Sequence, residues 1–245
     1  MRVLVIIPAY NEGVKLEMTV SRLENYRNRR ERQAFSLDAL IADDGSTDSM
    51  PEQLAEKFHF HYLHNSERMG VGHLIRRAYD FGLERSFDVL VTMAGNNKDN
   101  PDEIDRLVMP IVRNEADFVQ GSRYLPGGDF GNMPRYRMIT TRFVHPWLFS
   151  LVSDRKITDS TNGFRAIRSS ILRDERIRLH QDWLNRYELE PYLYCQAIRL
   201  KYRAMEVPVS KIYPDKKLGY SKMTPFVSWW SILKPLFYLF FRIKR

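Results

Sequence analysis

The sequence predicts an α/β fold in which helices flank a central, mostly parallel sheet, and three observations predict it. The opening run Met1 to Pro8 is, from Val3 on, continuously apolar and rich in β-branched residues, as a strand covered on both faces must be. Further short apolar runs alternate with stretches of helical periodicity, the pattern of a doubly wound sheet. Each run ends in a polar turn, and strand ends in such sheets are where ligands sit, because the backbone stops pairing there.

Taken in order, the first strand gives way to Pro8-Ala9-Tyr10-Asn11-Glu12 and then to a helix carrying Val14, Leu16, Val20 and Leu23. The basic stretch from Asn28 to Arg32 reads as a solvated loop. A second strand, Leu37 to Ala42, ends in Asp43-Asp44-Gly45-Ser46-Thr47-Asp48. The third, from about His59 to Leu63, leads through Asn65 to Gly72 into a helix ending near Glu84. The fourth, Phe87 to Met93, runs into Ala94-Gly95-Asn96-Asn97-Lys98-Asp99, after which Pro101 opens a helix reaching about Asn114. A short fifth strand, Asp117 to Gln120, ends in Gly121-Ser122-Arg123-Tyr124. Right-handed crossovers bring these ends to one rim, so four polar turns share one crevice. Carboxylates there can accept hydrogen bonds from a ribose or base, and exposed amides can take phosphate oxygens. Taken singly, Asp43 and Asp44 read equally well as a helix cap and a turn. The four turns together point to a ligand site.

At 245 residues, 44% hydrophobic and 28% charged, the chain is long enough for one large domain and unlike a disordered segment. Its net charge of +8 predicts anionic partners: nucleotide phosphates, lipid headgroups or nucleic acid. No nucleic-acid module, P-loop, nucleophile elbow or dinucleotide glycine pattern is present, which removes nucleic acid and those chemistries. A single cysteine, Cys195, excludes an internal disulfide or a multi-cysteine metal site and predicts a reducing, cytoplasmic compartment. Val3 to Pro8 is too short for a signal-peptide core. His59, His61 and His64 alternate along a strand with no acidic or cysteine partner at ligand spacing, and read as strand residues.

In order along the chain stand Pro8-Ala9-Tyr10-Asn11-Glu12, Asp43 to Asp48, Gly121 to Gly128, and Asp159-Ser160-Thr161-Asn162-Gly163-Phe164-Arg165-Ala166. This ordered set resembles the inverting glycosyltransferases of family 2, which have the GT-A fold, and most of all their dolichyl- and polyprenyl-phosphate mannose synthase branch. The likeness extends through Ala204 to Val209 and Gly219 to Met223, so a GT-A domain is expected over residues 1–223. The Q-x-x-R-W element of processive polysaccharide synthases is missing, since Gln181 to Tyr187 has similar letters at the wrong spacing. The resemblance implies that Pro8, Tyr10 and Glu12 hold the nucleoside of a nucleotide-diphosphate sugar, with Ile41 and Asp43 at the base. Arg123 and Arg137 would face phosphates, and Lys216 and Lys222 would close over the diphosphate or the acceptor. Thr161 and Asn162 would lie beside the transferred sugar. Fixed cations aimed at the charge on a departing diphosphate lower the barrier, which makes Lys98, Arg137 and Lys222 the expected catalytic set.

The departure from the family lies after the fourth strand. Family members usually carry D-x-D there, and its side chains hold a divalent cation. In this chain those positions are Ala94-Gly95-Asn96, which would still line the nucleotide sugar, and Lys98 stands where a glutamine commonly falls. One account keeps Mg²⁺ or Mn²⁺, bound mainly by substrate phosphates with Asn96 and Asp99 as protein ligands. The other gives the cation's role to Lys98, a point charge with three donors. The sequence leaves both open.

The last stretch, residues 224–245, adds a different signal. Ser228, Ser231, Lys234, Tyr238 and Arg242 fall at spacings of three and four, opposite Phe226, Trp229, Trp230, Leu233, Phe237, Phe240 and Phe241. Lys234 and Pro235 interrupt the apolar run, so an amphipathic membrane-surface helix, kinked or divided at Pro235, is expected instead of a span. Arg142 to Val152 is a second aromatic amphipathic piece. Both suit a membrane-borne acceptor and peripheral attachment to the inner face of a membrane. A lipid phosphate needs no general base, whereas a hydroxyl of a glycolipid or surface polysaccharide does, with Glu188 and Glu190 as candidates. That hydroxyl transfer is the runner-up; from another class comes a nucleotide-sugar-binding protein without turnover.

Overall fold

The computed structural model describes residues 1–29, 34–213 and 227–244. Its strands are β1 (Arg2–Ala9), β2 (Ser36–Asp43), β3 (His61–His64), β4 (Val89–Thr92), β5 (Phe118–Ser122), β6 (Arg165–Arg168) and β7 (Ala204–Pro208), in the spatial order β3-β2-β1-β4-β6-β5-β7. β1 pairs in parallel with β2 and β4, as do β2 with β3 and β5 with β7, while β6 runs antiparallel to both β4 and β5. The described helices are α1 (Val14–Arg29), α2 (Met50–Phe58), α3 (Val71–Glu84), α4 (Ile104–Val112), α5 (Arg135–Ile139), α6 (His145–Ser153), α7 (Ser169–Leu172), α8 (Leu189–Arg199) and α9 (Val227–Phe240).

Alternation along β1 shows why both faces of the sheet are dry. Leu4 and Ile6 pack with Leu74 and Ala78 of α3 and Tyr192 of α8, whereas Val3, Val5 and Ile7 pack with Leu16 and Val20 of α1 and Leu107 of α4. Every residue from Val3 to Ile7 is fully buried, which accounts for the unbroken apolar run.

Several elements go beyond the sequence reading, α2 and β6 among them. Helix α2, with Pro51 in its first turn, fills the gap between the second and third strands. More consequential is β6, Arg165-Ala166-Ile167-Arg168, which the sequence reading did not place as a strand; an arginine stands at each of its ends. Being antiparallel, β6 starts where the parallel strands end, and so carries residues 159–164 to the ligand rim. Helix α9 runs on through Pro235, so the proline does not divide it. The boundary expected at residues 223 and 224 lies outside the described residues, as do Lys216 and Lys222.

Candidate active site

A cavity of about 520 Å³ opens where β1, β4 and β5 end and β6 begins. All four expected turns reach its wall: Pro8 at the end of β1 with Tyr10 and Glu12 beyond it, Asp44 after β2, Ala94, Gly95, Asn96 and Lys98 after β4, and Arg123 after β5. Ser160, Thr161, Gly163 and Arg165 enter with β6, and Arg137 from α5. The sequence reading did not foresee Lys211 and Tyr213, which follow β7, or Arg68, Arg186 and Tyr187. Lys211 could have been found by the rule that found Lys98, since it stands just past a strand end.

The turn after β4 is held from three sides. Gly95 packs so closely on β1 that an added Cβ would sit 2.9 Å from the Pro8 carbonyl oxygen, which excludes a larger residue without a shift. From α1, Arg22 donates to Asn97 Oδ1 at 2.9 Å and to Asn100 Oδ1 at 3.0 Å. Asp99 closes the turn from within: its Oδ2 accepts the Ala94 amide at 2.9 Å and its Oδ1 accepts Lys211 Nζ at 2.5 Å. The Asp99 side chain is fully buried and does not line the cavity. Asn96 lines it and has a buried Oδ1 with no hydrogen-bond partner. Among the described residues, no group of three or more His, Cys, Asp or Glu side chains converges as a metal set.

Lys98 is 5% exposed, its Nζ 4.5 Å from the centre of the Tyr213 ring and its carbonyl oxygen accepting the Ile212 amide at 2.9 Å. Burial and the neighbouring charges of Lys211 and Arg137 push its ammonium down to about 7. Arg137 Nη1 donates to the Tyr213 hydroxyl at 3.4 Å. Glu12 pairs with Lys15 at 2.9 Å, and Arg68 lies 4.3 Å over the Tyr10 ring. The rim is thus rich in cations, and its carboxylates are largely committed.

Three expected contacts sit differently. Ile41 is wholly within the core of the sheet, and neither it nor Asp43 lines the cavity. Asp43 instead shapes the rim: its Oδ1 accepts Ser46 Oγ at 2.5 Å, its Oδ2 lies 3.0 Å from His64 Nδ1, and Ser46 Oγ in turn accepts the Asn11 amide at 2.9 Å. Asp44 caps the approach to α3 by accepting the Met69 and Gly70 amides at 2.9 Å. Arg123 lines the cavity, but its guanidinium is bound bidentately by Asp159 at 2.6 and 2.7 Å and donates to Thr161 Oγ1 at 2.7 Å, so its charge organises the residue 159–161 loop. Burial would lower this guanidinium, yet the Asp159 charge and hydrogen bonds hold it above its usual value.

The opposite wall is helical. Trp229, Ser231 and Ile232 of α9 and Thr141 from the π-helical turn Thr140–Val144 line the cavity. Three residues of the polar stripe read from the sequence face the protein, while Arg242 is exposed: Ser231 Oγ accepts the Tyr187 amide at 3.1 Å, Lys234 pairs with Glu188 at 3.5 Å, and Tyr238 meets Trp183 edge-on at 5.2 Å. His145, at the start of α6, places Nδ1 2.6 Å from Ser160 Oγ and Nε2 3.3 Å from the Ile232 carbonyl oxygen. The aromatic faces point away from the protein, with Trp147 67%, Trp230 53% and Phe241 61% exposed. No described helix is long and apolar enough to cross a membrane.

Comparison with known proteins agrees with this geometry. The profile described as Glycosyl transferase family 2 matches residues 4–176. The chain is 34% identical over 232 residues to the undecaprenyl-phosphate mannosyltransferase of Micrococcus luteus, covering 91% of this chain and 88% of that protein. It is 32% identical over 228 residues to the polyprenol monophosphomannose synthase of Mycolicibacterium smegmatis, covering 91% and 81%. The glucosyl-3-phosphoglycerate synthase of Mycobacterium tuberculosis, solved with Mn²⁺, UDP and glucosyl-3-phosphoglycerate, shares the fold at a TM-score of 0.67, with 14% identity, over 97% of this chain and 79% of that one. Strand ends that converge on one cationic cavity, a family profile spanning most of the chain and mannosyltransferase relatives along nearly all of it place this protein in glycosyl transferase family 2, as an enzyme of the GT-A fold.

Proposed function

We propose that this glycosyltransferase moves one sugar, with inversion, from a nucleoside-diphosphate donor to a polyprenyl phosphate at a membrane surface. The observation that carries the reading is that α9 serves two surfaces: Trp229, Ser231 and Ile232 line the cavity while Trp230, Phe237 and Phe240 are exposed outside it. An acceptor anchored among those rings would present its phosphate to the cationic rim. Relatives named for undecaprenyl phosphate and polyprenol support the same acceptor class. Attachment is peripheral, through the outer faces of α9 and of residues 136–151.

Pro8, Tyr10, Glu12 and the Ala94 to Asn96 backbone hold the nucleotide sugar, and Lys98 and Arg137 face the diphosphate. Lys216 and Lys222 are assigned to close over it. An oxygen of the lipid phosphate attacks the anomeric carbon from the face opposite the diphosphate. The carbon–oxygen bond to the diphosphate breaks, the nucleoside diphosphate leaves with the bonding pair, and the configuration inverts. The attacking oxygen is already anionic and needs no general base. The carboxylates agree with this, since Glu12 pairs with Lys15 and Glu190 Oε1 lies 3.4 Å from Arg165 Nη2. The donor set after β4 does not fit a hard divalent ion: it offers one neutral amide oxygen and one carboxylate already bound by Lys211 and the Ala94 amide.

Incubating the purified protein with labelled UDP- and GDP-sugars and vesicles containing undecaprenyl phosphate tests the reading. The expected product is an organic-extractable sugar monophosphate lipid, with Glu190→Gln retaining activity. Transfer to a lipid hydroxyl that Glu190→Gln cuts by more than about 100-fold, the scale of a lost general base, would establish the hydroxyl-acceptor reaction instead. Nucleotide binding without turnover on either acceptor would leave only a binding protein.

A further inference from the structure

Positive charge is present after β4 in a form that the family pattern does not carry. The lone carboxylate of the turn, Asp99, is spent on Lys211 and on the Ala94 amide, and it is fully buried behind the wall. Asn96 contributes a neutral oxygen. Lys98, two residues further on, lines the cavity at 5% exposure, with the Tyr213 ring against its ammonium and the Ile212 amide fixing its carbonyl.

We infer that this enzyme needs no divalent ion to bind its nucleoside diphosphate, because the Lys98 ammonium, backed by Arg137 and Lys211, is built into the turn as the fixed cation of the leaving-group site. The inference rests on reading the cavity as a nucleotide-sugar site and is independent of the acceptor.

Physical reasoning supports it in two ways. Burying Lys98 beside Lys211 and Arg137 is unfavourable in the protein alone, and a bound diphosphate reverses that by supplying the missing negative charge. A cation carried on the chain is also already in place when the anion arrives, so no ion has to be recruited and partly dehydrated first. Lys211 has a supporting part: by neutralising Asp99 it removes a carboxylate charge that would repel the diphosphate.

Calorimetric titration of UDP and of GDP into the full-length protein tests this, first in EDTA and then with Mn²⁺ added. The tighter-binding nucleotide is expected to change affinity by less than about 3-fold on adding Mn²⁺, while Lys98→Met weakens it on the order of 30-fold, the scale of one charge-assisted contact, with no rescue by Mn²⁺. The thermal melt of Lys98→Met, recorded beside that of the parent, separates lost binding from lost folding, and Lys98→Ala read by both measurements serves as the second variant. Lys98→Arg, which keeps the charge, should recover part of the affinity. Tightening by about tenfold or more with Mn²⁺ in the parent, or parental affinity in Lys98→Met, overturns the inference. Absence of binding by both nucleotides in both buffers overturns it together with the donor-site reading. A failure of the acceptor reading alone shows itself differently, as metal-free, Lys98-dependent nucleotide binding without a polyprenyl-phosphate product.

Discussion

The donor rim and the helical wall of the cavity are built by different means. At the rim, parallel strands deliver short turns that are closed from within, as Asp99 is by the Ala94 amide and Asp43 by Ser46, and then tied to the body by Lys211 and Arg22. At the wall, helices are pinned to the body by polar links between residues far apart in sequence: His145 to Ser160 and Ile232, Tyr187 to Ser231, and Glu188 to Lys234. On α9, Ser231 and Lys234 join the buried Leu236 and Leu239 on the side facing the body, while the Trp230, Phe237 and Phe240 rings are left exposed on the other. Such a helix gains from burying its outer face only where an apolar phase receives it. On the proposed function the rim takes an anion from water and the wall a lipid, and substitutions should separate the two.

The strongest way to break the comparison is at the buried ion pair on the rim side. The Arg123 and Asp159 side chains are 3% and 0% exposed, and removing one charge strands the other. Asp159→Ala should cost roughly 3–5 kcal/mol in denaturant unfolding, whereas a surface pair would cost under about 1 kcal/mol. A small effect would mean that the residue 159–161 loop is held otherwise.

On the wall side, acid probes His145. Burial pushes its imidazole down to about 4, against 6.5 when free, despite the hydrogen bond to Ile232 and the nearby Asp159 charge. The unfolded chain then binds a proton that the native protein refuses, so stability falls as pH drops from about 6.5 to about 4, by roughly 3 kcal/mol for this group. His145→Gln should be less stable at neutral pH but should flatten that slope. An unchanged slope in the variant would assign the acid sensitivity elsewhere.

Smaller effects belong to the outward rings. Trp230→Ser with Phe241→Ser should weaken binding to anionic vesicles by roughly 2 kcal/mol, near 30-fold, and leave nucleotide affinity unchanged. Equal losses in both assays would erase the distinction between rim and wall.

How much of this was legible follows from the same contrast. The largely apolar runs of β1, β2, β4 and β5 and the strand-end rule brought Tyr10, Glu12, Asn96, Lys98 and Arg123 to one cavity from sequence alone. β6 was hidden because Arg165 and Arg168 flank only two apolar residues, and nothing local says that Arg165 will be 1% exposed, bound to the Asn162 carbonyl. Arg123 was legible as a rim residue but not as the partner of Asp159, since ion pairs between distant residues leave no periodic trace. Periodicity also revealed both faces of α9 without showing which one turns inward. That depended on Glu188 and the Tyr187 amide being there to receive Lys234 and Ser231.

Ser231 offers the finest test, because it stands at the junction of the two regions. Its hydroxyl is 3% exposed, accepts the Tyr187 amide at 3.1 Å, and lies on the helix that separates cavity from outer surface. Ser231→Ala leaves that amide without its partner, at a cost of about 1–2 kcal/mol, and adds no bulk. Because Tyr187 also lines the cavity, the loosened contact should appear as a several-fold rise in KM for the lipid acceptor, with the nucleotide Kd unmoved. Ser231→Thr, which restores the acceptor oxygen, should bring KM back toward the parent. If instead the nucleotide affinity shifts with Ser231→Ala, the wall and the rim are one mechanical unit, and the division between them lies elsewhere in the fold.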